Sequence, residues 1–404
     1  MTPALTPDFD VHAADVAVAA AATAPAWVEV TWAGGGSSRY HHVWLRDNCP
    51  CPLCVHQVTK EQTFELGVDD EPQPVGVAVT DGGVAIDWAD GHRSEYHPGW
   101  LWTLRYDPAP AGEPAPVAWD ASTPGMPATF DGPAVLADDD ALHDWLVALR
   151  HHGLTVLRDV PLDLDAVGRV AERIGPVRAT NFGVLWDVRS EPEPITNANT
   201  SFALPPHVDL PTREYQPGLQ LLHCIKNTCA GGDGRYLDGF RVAEILRDEE
   251  PGHFEVLTTV PCQWANRSKV TDHRWSAPAI GLDHAGQVRE IRMGNWLRGP
   301  LAVEFDRVEV VYAATRAMAA VARREGMAIR LPLRPGDLVA FDNRRILHGR
   351  DAFDPDGGGT RLLRGCYGER DELRSRLRIL DRERRRASTP MFVSPHVAES
   401  GRVR

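Results

Sequence analysis

Cys49, Cys51 and Cys54 fall within the six-residue stretch CPCPLC, and this crowding constrains the fold more than any other local feature. Three thiolates so close repel one another unless a soft cation neutralises them, and a tetrahedral Zn²⁺ is the usual occupant. Seven cysteines in 404 residues are too few for a disulfide scaffold, so a metal is the expected reading and free or redox-active thiols the alternative. The fourth ligand must come from beyond the cluster, with His56, His92 and His97 as candidates. Four protein ligands leave no open coordination position. Such a site is structural, and it staples a unit too small for a strong core of its own.

The surrounding segment reads as all-β. WVEVTW (27–32) alternates apolar and polar residues, GGGSS (34–38) turns into YHHVWL (40–45), and VGVAV (75–79), DGG (81–83) and VAIDW (84–88) spell a hairpin. DPAPAGEPAPVAWD (107–120) is Pro-rich and aperiodic, as a linker is. The expected organisation is a disordered tail over 1–25, a zinc-binding β domain of three cysteines and one histidine over 26–106, a linker over 107–125 and a larger domain over 126–404.

In the larger domain, Asp138–Asp140 precede a helical stripe of Leu142, Trp145, Leu146 and Leu149 that stops at Gly153. LTVLRDV (154–160) reads as a buried strand, Asp165–Ile174 as a helix, LQLLHCI (219–225) as an apolar run, Val308–Arg324 as a helix and LVAF (338–341) as a strand. Strands separated by long irregular loops predict a mainly β fold with flanking helices, a double sheet rather than a doubly wound one. Cys224, Cys229, Cys262 and Cys366 are expected to pack as small apolar residues, and DRERRRASTP (381–390) to form a solvated helix end.

Net charge is −13, and no Lys/Arg-rich run precedes the last thirty residues, which argues against nucleic acid or an anionic membrane as partner. No stretch approaches the ~18 apolar residues of a membrane span. The N-terminus carries acids where a signal peptide would be basic, so a cytoplasmic location is expected.

His207-Val208-Asp209 is the only His-x-Asp in the chain. In a strand, residues i and i+2 share a face, so imidazole and carboxylate can meet one metal. FDNRRILHGRDAF (341–353) places His348 just after a strand, and Arg361 follows 13 residues later on the next. Two histidines and one carboxylate leave three positions open, as non-haem Fe(II) oxygenases require for a co-substrate and O₂. A downstream arginine supplies a fork for the far carboxylate of 2-oxoglutarate.

From about Trp27 to Leu380 the chain resembles the γ-butyrobetaine hydroxylase branch of the Fe(II)/2-oxoglutarate dioxygenases, related to taurine dioxygenase and trimethyllysine hydroxylase. The resemblance rests on WLRDNCPCPLC (44–54), DGHRSEYHPGWL (90–101), PPHVDLP (205–211), PGLQLLHCIKNT (217–228), GGD (231–233), FDNRRILHGR (341–350) and SRLRIL (375–380). It implies a double-stranded β-helix (jelly-roll-like) core, structural Zn(II) on Cys49, Cys51, Cys54 and His92, catalytic Fe(II) on His207, Asp209 and His348, and 2-oxoglutarate held by Arg361 and Leu222. Many relatives carry a hydroxyl residue after GGD that touches this co-substrate; Gly234 stands there. The resemblance places Phe182, Trp186, Asn199 and Tyr367 at the positions of an aromatic cage for a trimethylammonium group, and Thr196 and Asn295 at the substrate carboxylate. Phe182 replaces a tyrosine and Asn199 an aromatic residue. The implied enzyme hydroxylates γ-butyrobetaine or a close quaternary-ammonium acid. Another amino acid, trimethyllysine or an ammonium phosphonate is the alternative substrate, with desaturation or cyclisation as alternative outcomes. A homodimer is also implied. Readings from other classes are a metal-assisted hydrolase on the same triad and a non-catalytic metal-binding interaction module.

Overall fold

Alternation along Trp27–Trp32 buries Val28, Val30 and Trp32 and leaves Glu29 and Thr31 exposed, and the strand sits in the middle of an antiparallel sheet between Val18–Thr23 and Ser37–His41. A second antiparallel sheet joins Pro74–Thr80, Gly83–Trp88 and Arg93–Tyr96. A six-residue helix follows each sheet, His42–Asp47 after the first and Pro98–Thr103 after the second. The two halves repeat one another. Trp32 Nε1 donates to Ser38 Oγ at 3.0 Å, and Trp88 Nε1 donates to Ser94 Oγ at 2.9 Å. Tyr40 donates its hydroxyl to the Leu101 carbonyl at 2.8 Å, while Tyr96 donates to the Leu45 carbonyl at 2.5 Å, so each half completes the helix of the other. Val28, Val30, Leu45, Ile86, Trp88, Trp100 and Leu101 share one core.

The computed structural model describes residues 5–388 apart from 13–15, 68–70, 82, 111, 113, 190–198, 269 and 355–358. Two units emerge, Met1–Glu113 with Asp381–Arg404, and Pro114–Leu380.

Several sequence expectations change here. Residues 18–23, expected within a disordered tail, form an edge strand, and Asp8 accepts a hydrogen bond from Trp100 Nε1 at 3.1 Å. VAAAAT has no apolar alternation to read, and its backbone holds it in the sheet. YHHVWL is not one strand: pairing ends at His41 and a helix begins at His42. Trp119, expected in the linker, is fully buried in the larger unit, its backbone N–H on Asp238 Oδ2 at 3.1 Å. The helix end from Asp381 to Ser388 is largely exposed, as expected, and carries an ion pair of Arg382 with Asp10 at 3.0 Å.

Besides the two-stranded pairs Cys262–Arg267 with Asp272–Ala277 and Ile280–Leu282 with Val288–Ile291, the larger unit holds two main sheets. One orders Leu204–His207, Ile346–Arg350, Gly234–Asp238 and Ile329–Leu331; the other orders Ala128–Asp131, Leu154–Arg158, Leu338–Asp342, Leu219–Asn227, Arg361–Gly368 and Leu185–Val188. Alternation decides what each face meets. Leu338, Ala340, Leu219 and Leu221 pack with Leu142, Trp145, Val167 and Leu377 from flanking helices, whereas Val339, Phe341, Leu222 and Cys224 pack with Tyr236 and Ile346 of the smaller sheet. The helix Asp139–His152 is capped by Asp138, which accepts from Ala141 N–H at 2.7 Å, and ends at Gly153 with φ +71°. The fold is thus mainly β with flanking helices.

Candidate active site and structural metal centre

Between the two sheets of Pro114–Leu380, three strands set out one cross-strand row. His207 pairs with His348, and His348 pairs with Tyr236. The His207 and His348 rings lie 4.2 Å apart, centroid to centroid. His348 sits inside the strand Ile346–Arg350 rather than after it. His207 is the last residue of its strand, so Asp209 does not reach the metal by strand alternation as the spacing suggested. The chain turns there instead. Val208 N–H bonds the Met293 carbonyl at 2.9 Å, and Leu210 takes φ +53°. Asn343, fully buried, accepts from Asp209 N–H at 2.8 Å and donates to its carbonyl at 3.0 Å. Tyr367 then donates to Asp209 Oδ2 at 2.8 Å.

This leaves Asp209 Oδ1 3.4 Å from His207 Nε2 and 3.7 Å from His348 Nε2. All three donor atoms lie within 4.8 Å of one another, a set that fits one ion. His207 Nδ1 sits 3.0 Å from the Pro205 carbonyl, which selects the tautomer with Nε2 free for metal. Burial, reinforced by His207, pushes His348 down to about 3 and keeps it a neutral ligand. Burial alone would raise the Asp209 carboxyl, but the His348 and His207 imidazoles outweigh it and hold it well below the usual range.

These ligands open into a half-open cavity walled also by Leu222, Leu333, Leu363, Gln220, Tyr236, Arg350 and Arg361. Arg361 is buried, and its Nε and Nη1 have no hydrogen-bond partner among the described residues. Phe353 lies under the guanidinium at 5.6 Å. Burial, then the neighbouring Arg361, brings Arg350 down to about 10. Two buried guanidiniums in one cavity, one with donors unpartnered among the described residues, fit an anionic co-substrate such as 2-oxoglutarate, and Leu222 stands on the same wall.

Of the expected cage, Trp186 lines this cavity and its ring lies 5.1 Å from Tyr367. Gly365 makes room for it: a Cβ there would sit 2.5 Å from the indole. Phe182, Asn199 and Asn295 are not among the lining residues. Phe182 is half-buried, Asn199 donates to the Arg189 carbonyl at 3.1 Å, and Asn295 is exposed at the start of a short 3-10 turn. Thr196 lies outside the described residues. Sequence reasoning missed Asn343 and Tyr236, although Asn343 lies in the FDNRRILHGR motif five residues before His348.

In the first unit, Sγ of Cys49, Cys51 and Cys54 stand 3.2, 3.6 and 3.7 Å from His92 Nε2. Zn–S and Zn–N bonds of about 2.3 and 2.0 Å at a tetrahedral angle imply S···N edges of about 3.5 Å, so the four residues fit zinc. Burial pushes Cys49 up to about 12, a thiol that needs a cation to ionise. Arg46 Nη1 lies 3.4 Å from Cys54 Sγ, and Asp90 accepts from His92 N–H at 2.8 Å. The other candidates have local duties. His56 Nδ1 accepts from Thr59 N–H at 3.1 Å, and His97 caps the helix Pro98–Thr103 by accepting from Trp100 N–H at 3.3 Å.

The geometry agrees with the chain's relatives. Residues 112–367 match the taurine catabolism dioxygenase TauD, TfdA family, and residues 21–102 match the gamma-butyrobetaine hydroxylase-like N-terminal family. The chain is 46% identical to a gamma-butyrobetaine dioxygenase of Pseudomonas sp. (strain AK-1) over 90% of its own length and 96% of the relative's. It is 30% identical to the human gamma-butyrobetaine dioxygenase, covering 87% and 94%. A trimethyllysine dioxygenase of Meyerozyma guilliermondii is also 30% identical, covering 88% and 93%. The chain thus belongs to the taurine catabolism dioxygenase TauD, TfdA family and is an Fe(II)- and 2-oxoglutarate-dependent dioxygenase.

Proposed function

We propose that this dioxygenase hydroxylates γ-butyrobetaine or a close zwitterion with a cationic nitrogen and a carboxylate on a short aliphatic spacer. The observation that carries this reading is the Trp186–Tyr367 ring pair, 5.1 Å apart, with Trp186 on the cavity wall that also holds the metal ligands. An aromatic face attracts a quaternary ammonium by about 0.5–2 kcal/mol. Similarity to two gamma-butyrobetaine dioxygenases supports the same substrate class.

Bound iron would couple O₂ reduction and 2-oxoglutarate decarboxylation to insertion of oxygen into a substrate C–H bond. The protein's own residues do the positioning. Arg361 takes the far carboxylate of the co-substrate, and Leu222, Leu333 and Leu363 keep its chain out of water. Tyr367 holds Asp209 Oδ2 and turns Oδ1 toward the two imidazoles. The same reading includes Thr196 and Asn295 at the substrate carboxylate, Phe182 and Asn199 completing the cage, a zinc-stapled N-terminal domain, and a cytoplasmic homodimer. Among the described residues, no helix is long and apolar enough to cross a membrane.

Anaerobic reconstitution with Fe(II) and 2-oxoglutarate, followed by O₂, tests it. Succinate is expected with γ-butyrobetaine, together with a product heavier by one oxygen atom. Turnover of primary amines while every quaternary ammonium fails overturns the aromatic-wall assignment. Preference for trimethyllysine moves the enzyme to the neighbouring substrate class.

A further inference from the structure

Gly234 opens the strand Gly234–Asp238 on the cavity wall. It has no side chain to offer a co-substrate, and the structure shows what fills its place. A Cβ on Gly234 would lie 2.7 Å from Tyr236 Cε2 and 3.0 Å from the Tyr236 hydroxyl oxygen. The phenol therefore occupies the space over the glycine. It is held there on two sides: Tyr236 stands opposite His348 in the ladder, and its ring meets Phe341 edge-on at 5.6 Å.

Tyr236 is 2% exposed, yet among the described residues its hydroxyl forms no hydrogen bond with protein. The hydroxyl is not one of the closed-off polar atoms, so it opens to the cavity, where a ligand can accept from it. The same cavity is lined by Arg361, whose Nε and Nη1 have no partner among the described residues. A phenol carries its proton at neutral pH, so the group donates. A carboxylate has about four lone-pair positions, and an arginine fork uses two. An O–H donor on the same cavity wall has an acceptor left to it.

We propose that Tyr236 is a co-substrate-binding residue whose hydroxyl donates to the far carboxylate of 2-oxoglutarate beside Arg361, supplying the contact that Gly234 cannot. The assignment rests on the 2-oxoglutarate reading of the cavity. It makes residues 234 and 236 a coupled pair, because the glycine is what allows the ring to reach the carboxylate.

The test is anaerobic calorimetric titration of the full-length Fe(II)-loaded protein and its Tyr236→Phe variant with two ligands. One is 2-oxoglutarate; the other is 2-oxopentanoate, which keeps the keto acid and replaces the far carboxylate by a methyl group. Loss of one hydrogen bond to a charged acceptor is expected to weaken 2-oxoglutarate roughly 10- to 100-fold while leaving 2-oxopentanoate within about twofold. Equal weakening of both ligands, or no weakening of either, overturns the role of Tyr236. If the unaltered protein binds no 2-oxoglutarate, the co-substrate reading fails and Tyr236 loses its role with it. The variant removes one oxygen and keeps the ring, and an unchanged melting temperature checks that packing against Phe341 survives.

Discussion

The two metal centres solve opposite problems. In the first unit, four ligands close around one point and Arg46 and Asp90 satisfy their neighbours. In Pro114–Leu380, three ligands leave a side open, and among the described residues the cavity wall carries polar atoms without partners. Among the described residues, the buried side-chain nitrogens and oxygens that lack a partner all belong to this larger unit. Arg361 and Gln220 on the cavity wall are two of them. A structural centre spends its polar groups on itself, and a catalytic one keeps them for what enters.

The sharpest way to break this contrast is to open the closed site. Cys54→Ala removes a ligand, and because structural zinc contributes folding energy directly, the first unit is expected to lose about 5 kcal/mol or more. Loss of the near-ultraviolet circular dichroism of Trp32, Trp88 and Trp100, with zinc content falling, checks it. An unchanged spectrum would make the cluster ornamental to the fold. At the open site the expectation inverts. His348→Ala should lower turnover by roughly a thousandfold or more, while zinc content and melting stay near those of the parent. Metal analysis of both sites in one sample reads this directly.

A finer comparison concerns support. Asn343→Ala leaves all three iron ligands in place but frees the backbone of Asp209, and Fe(II) affinity is expected to drop about 10- to 100-fold. Anaerobic Fe(II) titration measures it, and an unchanged affinity would mean the turn after His207 holds itself. The smallest effect belongs to the repeat in the first unit. Tyr40→Phe and Tyr96→Phe each strand one buried carbonyl, at a cost of about 1–3 kcal/mol. Urea unfolding followed by tryptophan emission should give similar losses for the two. A neutral result for one alone would show that the halves are not equivalent.

The three thiolates and the His-x-Asp pair are legible in the residues because their chemistry is local or strongly patterned, whereas spacing leaves His56, His92 and His97 open and only the family resemblance selects His92. CPCPLC has few rival explanations, and His-x-Asp occurs once. The reason given for the second was only half right, since Asp209 lies beyond its strand and owes its place to Asn343, 134 residues away. Hairpins and helices with clear periods matched: Gly83–Trp88 and Asp139–His152 fall where alternation and capping put them. Val18–Thr23 did not, because a run of alanines held by backbone bonds carries no amphipathic mark. Trp119 was read with its proline-rich neighbours, although a single buried indole can anchor such a stretch. Tyr236 was invisible for another reason. Its role depends on the emptiness of Gly234 two positions earlier, and emptiness shows only in three dimensions.

The crossed tyrosines have a consequence for how the chain is made. Leu101 is synthesised 61 residues after Tyr40, and His92 is added 43 residues after Cys49. Neither the hydrogen bond of Tyr40 nor the fourth ligand of the thiolates is available until the second half has been made. The first sheet is synthesised before the groups that fasten it.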